Sequence, residues 1–216
     1  MSVLTQNEIR VRMQNDEAWD KRLIVEPNFQ NFHVENSRPS AAASIDFHLG
    51  NRFTVFRRRR GVLHHPLNNK TTNNREGEKK KVEMSDVSTE EFFVSFGDYF
   101  VLHPGHLVLG TTLEWFRLPM DLMAYVVGRS IWGRRGLLIA TATAVQPGSA
   151  GTITLELSNT GEIAVELQPG LRIGQLFFHN VEGCDQDSKR TQFSGALRPI
   201  LGNYTKSKSE NFLTGL

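Results

Sequence analysis

Cysteine is all but absent from this 216-residue chain. Cys184 stands alone, which excludes an internal disulfide framework and any zinc or iron–sulfur site built from several thiolates. No apolar run approaches the ~18 residues that a membrane span needs. The opening Met1-Ser2-Val3-Leu4-Thr5-Gln6 turns polar at once, unlike a secretory leader. These absences predict a soluble chain of a reducing compartment, the cytoplasm. Net charge is scarce too: 25 Lys+Arg against 23 Asp+Glu leave +2. That argues against a protein coating a polyanion over its whole surface. The charge is unevenly spread, however: residues 51–81 hold ten cations and two acids, and the rest of the chain sums to −6.

The length suits one domain with a real core, spanning 1–216. Thr5 and Glu8 form a capping box that predicts a short helix over 5–14. From Ala43 the pattern changes to period two: Ile45, Phe47 and Leu49 share one face and Asp46 and His48 the other. Gly50-Asn51 ends the run, and Arg52 to Phe56 reads as a second strand. Residues 57–81, with Arg57-Arg58-Arg59-Arg60 and Lys79-Lys80-Lys81, lack periodicity and read as an exposed basic loop inserted in the domain. Beyond it, Pro104-Gly105, Pro147-Gly148 and Pro169-Gly170 each separate β-like runs. Short strands with Pro-Gly punctuation indicate a mainly β barrel or sandwich rather than βαβ units.

Two constellations carry chemistry. The first is Gly128-Arg129-Ser130-Ile131-Trp132-Gly133-Arg134-Arg135-Gly136. Gly128 releases a strand and Gly136 terminates one or two helical turns, so Ser130 and Arg134, four apart, share a face. A hydroxyl and two guanidinium groups at such a turn suit phosphate, and the same spacing reads equally as a solvated basic turn. The second is Thr152-Ile153-Thr154-Leu155-Glu156-Leu157-Ser158-Asn159. Here Ile153, Leu155 and Leu157 alternate onto a core face and Glu156 projects from the other, between Thr154 and Ser158. Glu156 reads as a surface acid or as a general base in a polar pocket. The poor strand propensity of glutamate leans toward the base.

Taken together these motifs resemble the dCTP deaminase family, within the wider dUTPase-like group. Its carriers are Leu102-His103-Pro104-Gly105, the 128–134 turn, Gln146-Pro147-Gly148 with Gly151, Leu155-Glu156-Leu157-Ser158-Asn159, and Gln168-Pro169-Gly170 with Ile173-Gly174-Gln175-Leu176. Ser44 to Asn51 resembles the family's N-terminal strand pair. The resemblance implies a mainly β fold, a distorted β-barrel or β-clip with short helices. It also implies a homotrimer whose sites are built from neighbouring subunits.

The activity it implies is zinc-independent hydrolysis of dCTP to dUTP and ammonia, supplying dUTP to pyrimidine deoxynucleotide metabolism. Glu156 takes the place of the family's catalytic glutamate, flanked by Thr154 and Leu155. Arg129, Ser130, Ile131, Trp132, Gly133 and Arg134 take that of its triphosphate-binding turn, with Ser130 and Arg134 also holding the water or the base. Ala142 is placed at the cytosine edge through its backbone. Magnesium is implied through the triphosphate and not through a protein cage, so no residue is assigned as a metal ligand. The implied partners are dCTP and dUTP, with dTTP a candidate inhibitor, and neither membrane nor nucleic acid. The zinc route is excluded: His33-Val34-Glu35 matches half of the zinc deaminase signature, but no Pro-Cys-x-x-Cys accompanies it.

Three departures from the family pattern matter. Gln146 stands where the group carries an aspartate that, in dUTP-hydrolysing members, activates water; an amide is no carboxylate base. The segment Ala140-Thr141-Ala142-Thr143-Ala144 is one residue short and lacks the family's histidine and arginine. The C-terminal closing segment, 189–216, matches the family's Lys-Tyr…Gln element faintly, with Lys189 or Arg190 as the replacement cation. Three alternatives follow. They are a catalytically inactive nucleotide-binding sensor on the same fold, a dUTP diphosphatase, and a nucleic-acid module using the 57–81 loop. Trp115 and Phe116 read as core or subunit interface, and His103 and His106 as structural turn residues.

Overall fold

Ile45, Phe47 and Leu49 are fully buried in the computed structural model, while Asp46 and His48 between them keep partial exposure. The structure describes residues 2–14, 21–29, 42–57, 72–73, 79–80, 89–140, 144–183 and 195–200. Among the described residues two short helices, α1 (Gln6–Gln14) and α2 (Ser130–Gly133), accompany fourteen strands. The first seven are β1 (Ile24–Glu26), β2 (Ile45–His48), β3 (Arg52–Phe56), β4 (Thr72–Asn73), β5 (Lys79–Lys80), β6 (Thr89–Phe93) and β7 (Phe100–Leu102). There follow β8 (Leu107–Arg117), β9 (Leu122–Gly128), β10 (Leu137–Ile139), β11 (Ala144–Val145), β12 (Ala150–Asn159), β13 (Val165–Leu167) and β14 (Arg172–Asn180). Among the described residues no helix is long and apolar enough to cross a membrane.

The chain divides into two compact units. Met1–Val55 with Glu91–Ile200 is the larger, and Phe56–Glu90 with Leu201–Leu216 the smaller. In the larger unit, β8 is the central strand of a sheet ordered β10-β12-β8-β3-β6, with β1 also on β8. One edge of β8 takes β12 along most of its length; the other is shared by β3 at Val108–Leu109, the Leu49–Thr112 bridge, and β1 at Trp115–Arg117. Val108 to Thr112 are buried in succession instead of alternating, so both faces of this stretch are covered. The second sheet runs β11-β9-β14-β2, and β13 pairs with β7. Phe47, Phe53, Phe116, Leu122, Leu155 and Phe178 meet in one core drawn from both sheets. The mainly β architecture with short helices is therefore as expected. Among the described residues the sheets stay open rather than closing into a barrel.

The three Pro-Gly sites share one conformation. Gly105, Gly148 and Gly170 have φ of +71°, +73° and +89°. In each, the N–H following the glycine donates to the carbonyl preceding the proline over 3.2 Å: His106 to His103, Ser149 to Gln146, and Leu171 to Gln168. Proline at the second position and a left-handed glycine at the third define the type II turn. The capping box is also present. Glu8 Oε2 accepts from the Thr5 N–H at 2.7 Å, and the Glu8 N–H faces Thr5 Oγ1 at 3.4 Å.

The smaller unit corrects one expectation. Within 57–81, read as a segment without regular structure, Thr72 pairs with Lys80 and Asn73 with Lys79 as an antiparallel ladder. Strands of two residues are too short to leave a period in sequence. Arg57 forms an ion pair with Glu90, and the rest of the basic segment lies outside the described residues.

Candidate functional site

β9 ends at Gly128 and the chain turns at once into α2. Arg129 takes the N-cap position with extended backbone (φ −73°, ψ 134°), and Arg134 N–H donates to Ser130 O at 3.0 Å. Gly136 closes the turn at φ +85°, where a Cβ would lie 2.7 Å from the backbone of Gly161. Ser130, Ile131, Gly133 and Arg134 are exposed. Trp132 is half-buried: its indole N–H donates to Arg172 O at 2.8 Å, and the Arg135 guanidinium lies 5.8 Å from its ring centre. The short helical turn expected at 129–134 is therefore present, with Arg129 half-buried at its start.

Arg129 is not solvated freely. Its Nη1 lies 2.7 Å from Asp46 Oδ1, and the same carboxylate receives Gln175 Nε2 at 3.1 Å and Arg172 Nη1 at 3.2 Å. Register explains the meeting, since Gln175 is the cross-strand partner of Asp46 and Arg172 that of His48. Sequence reasoning placed Asp46 on the outward face of its strand but did not identify Asp46, Arg172 or Gln175 as functional. Their only signal was a set of polar residues on outward strand faces, with nothing to pair them.

Glu156 lies on β12, half-buried, between Leu155 and Leu157, which are both fully buried. Leu155 therefore offers a ligand only its backbone. Ile153 departs from the expected alternation: the ladder to β8 shifts between Thr152 and Thr154, and the Ile153 N–H donates to Thr112 Oγ1 at 2.9 Å instead. The edge of β12 near Glu156 is bracketed. Ala140 N–H donates to Glu156 O at 2.9 Å on one side, and Ile200 N–H donates to Thr154 Oγ1 at 3.2 Å on the other. Gly195–Ile200 thus runs along the first half of β12, with Thr152 N–H on Ala196 O at 2.8 Å.

Gln146 is exposed in the turn between β11 and β12. Ala142, Lys189 and Arg190 lie outside the described residues, as does Cys184. The 129–134 turn leads into β10, and β10 pairs with β12 from Leu137–Asn159 to Ile139–Leu157. Even so, among the described residues no hydrogen bond or ion pair joins Glu156 to Arg129, Ser130 or Arg134. The structure groups the 129–134 turn with Asp46, and Glu156 with Thr154 and the 195–200 segment. Phe116 is core, whereas His103 and His106 are exposed and His106 Nδ1 sits 3.0 Å from Pro104 O.

Comparison with known proteins supplies the context. Residues 3–181 match the family model described as dCTP deaminase-like. The chain is 45% identical over 169 residues to a dCTP deaminase of Halorubrum lacusprofundi, covering 74% of this chain and 77% of that protein. It is 45% identical over 137 residues to a "dCTP deaminase, dUMP-forming" of Halobacterium salinarum, covering 63% of this chain and 64% of that protein. Among solved structures, the 2′-deoxycytidine 5′-triphosphate deaminase of Agrobacterium tumefaciens superposes with a TM-score of 0.54 at 20% identity. The match takes in 83% of this chain and 48% of that one, so the chain spans about half of its length; at this identity the likeness is one of fold.

Proposed function

The chain belongs to the dCTP deaminase-like family, and from that membership we propose that it hydrolyses dCTP to dUTP and ammonia without zinc, with Glu156 as general base. The placement of Glu156 carries the reading. Its strand is held on both edges, by the Leu109 ladder partner and by Ala140, and its two neighbours are locked in the core. Its carboxylate therefore stands on the opposite face, with Thr154 and Ser158. As the oxygen of water bonds to C4 of cytosine, Glu156 takes one proton and the C4=N3 electron pair moves to N3, which receives that proton. The remaining hydroxyl proton passes through Glu156 to the 4-amino group. The C4–N bond then breaks, ammonia departs, and the C4 carbonyl remains.

Arg129 and Arg134 meet the triphosphate, while Ser130 and Arg134 hold the water or the base. The guanidinium groups donate N–H and have no lone pair for a cation, so they fit magnesium held by the phosphate oxygens, where it neutralises charge. The reading includes a homotrimer whose sites are built from neighbouring subunits. It also includes a cytoplasmic enzyme in pyrimidine deoxynucleotide supply, with dTTP as an inhibitor.

Ammonia and dUTP released from dCTP with magnesium test the reading. Glu156→Gln should lower turnover by ~10²–10⁴ while dCTP binding is kept. A wild type as inert as this variant would refute the catalytic assignment. A second reading, in which dUTP is hydrolysed further, is favoured by the name of the Halobacterium salinarum relative and opposed by the amide of Gln146.

A further inference from the structure

Strand register brings two distant arginines to one carboxylate. Arg129 follows the end of β9 and Arg172 opens β14, and Gly128 pairs with Gly174 across the two strands. Two bonds outside the ladder fix this junction: Arg129 N–H donates to Ile173 O at 3.1 Å, and the Trp132 indole N–H donates to Arg172 O at 2.8 Å. The guanidinium groups then converge on Asp46, Arg129 on Oδ1 at 2.7 Å and Arg172 on Oδ2 at 3.2 Å. Two cations on one carboxylate leave a surplus of one positive charge. The Arg172 side chain is 60% exposed, against 24% for Asp46. A guanidinium fixed at one edge keeps further N–H groups to donate, in a planar fork suited to phosphate oxygens.

We propose that Arg172 is a third polyphosphate-binding cation beside Arg129 and Arg134, presented next to Arg129 by their shared Asp46. The triphosphate of a nucleotide is then gripped from β14 as well as from the 129–134 turn. The inference rests on the reading of that turn as the triphosphate site. It differs from a purely structural ion-pair network, which would hold the sheet together and leave anion binding unchanged. Asp46 orients the pair and restrains their mutual repulsion; it does not itself meet the ligand.

Calorimetric titration of the full chain with inorganic tripolyphosphate tests this, run beside a dCTP deamination assay. Arg172→Gln should weaken tripolyphosphate binding about tenfold and make it less sensitive to salt. It should raise KM for dCTP by a similar factor, with kcat within about twofold of wild type. Arg172→Lys, which keeps the charge and loses the fork, should fall between. Arg52→Gln removes the same charge from an exposed arginine over the Phe93 ring, 5.9 Å from its centre, and should bind as wild type. Equal binding by wild type and Arg172→Gln overturns the proposal, as does an equal loss in Arg52→Gln or a wild type that binds no tripolyphosphate. The two readings separate cleanly. A wild type that binds tripolyphosphate and releases no ammonia sinks the deaminase and leaves the cradle standing. One that releases ammonia while Arg172→Gln keeps its KM sinks the cradle alone.

Discussion

The carboxylate of Glu114 is fully buried and closes on His48: the His48 main-chain N–H lies 2.9 Å from Oε2, and ring Nδ1 lies 2.6 Å from Oε1. Glu114 belongs to β8 and His48 to β2, so this pair joins the two sheets across their shared core. The Phe29 ring meets the imidazole edge-on at 5.1 Å, and Thr112 Oγ1–H donates to the Glu114 carbonyl at 2.8 Å. A carboxylate this deep is tolerated because the His48 main chain and ring both meet it.

Removing that acceptor strands the donors. Glu114→Ala should therefore lower stability by about 3 kcal/mol, since breaking a buried pair leaves its partner without compensation. Glu114→Gln keeps shape and one acceptor oxygen, and should cost about half as much. Urea unfolding of both variants checks the order; an alanine variant no less stable than the glutamine one would refute the account.

Packing at Gly174 makes a second case. The ladder between β14 and β2 shifts between Arg172 and Gly174, which brings Gly174 opposite Phe47. A Cβ there would collide with the Phe47 ring, itself fully buried. The constraint is space, as Gly174 does not have a positive φ. Gly174→Ala should destabilise by about 1–3 kcal/mol through overpacking, and adding Phe47→Leu should recover part of that loss because the two positions touch. Thermal melts of the two single variants and the double variant measure the coupling, and strict additivity would contradict it.

What was legible in the sequence follows from which forces are local. Alternation at Ile45, Phe47 and Leu49, the capping box at Thr5 and Glu8, and the three Pro-Gly turns depend on neighbouring residues, and the structure contains each. Glu156 between Leu155 and Leu157 was legible for the same reason. Ile153 was not, because its ladder partner is replaced by the Thr112 hydroxyl from another strand. Glu114 sits in an apolar run with nothing to mark His48 as its partner. Asp46 joins Arg129 and Arg172 only through the register of β2, β9 and β14, and register over such separations leaves no local trace.

The capping box carries a pH dependence whose sign can be worked out. The Thr5 N–H, and after it the Thr5 hydroxyl, hold the Glu8 carboxyl below the ordinary glutamate value. A carboxyl lowered on folding contributes stability above its unfolded value, and that contribution is lost as pH falls through the folded one. The melting temperature of wild type should exceed that of Glu8→Ala at neutral pH, and the gap should close on acidification below about pH 4. A gap that widened in acid would reverse the argument.

The turn at Gln146 decides between one product and two. Gln146 contributes its carbonyl to the turn, accepting from Ser149 N–H at 3.2 Å, while the side chain is exposed. The turn is thus indifferent to what the side chain carries, and the identity of that group is free to set chemistry. The resemblance to the wider dUTPase-like group implies a water-activating aspartate at this point in dUTP-hydrolysing members, and an amide holds no lone pair basic enough for that role. Wild type should release ammonia from dCTP and no pyrophosphate from dUTP. Gln146→Asp should fold as wild type, with a melting temperature within about 2 °C, and should begin to release pyrophosphate from dUTP. Assaying both products in parallel separates the possibilities. Pyrophosphate from wild type at a rate matching its ammonia would show that the carboxylate is dispensable and would restore the two-step reading.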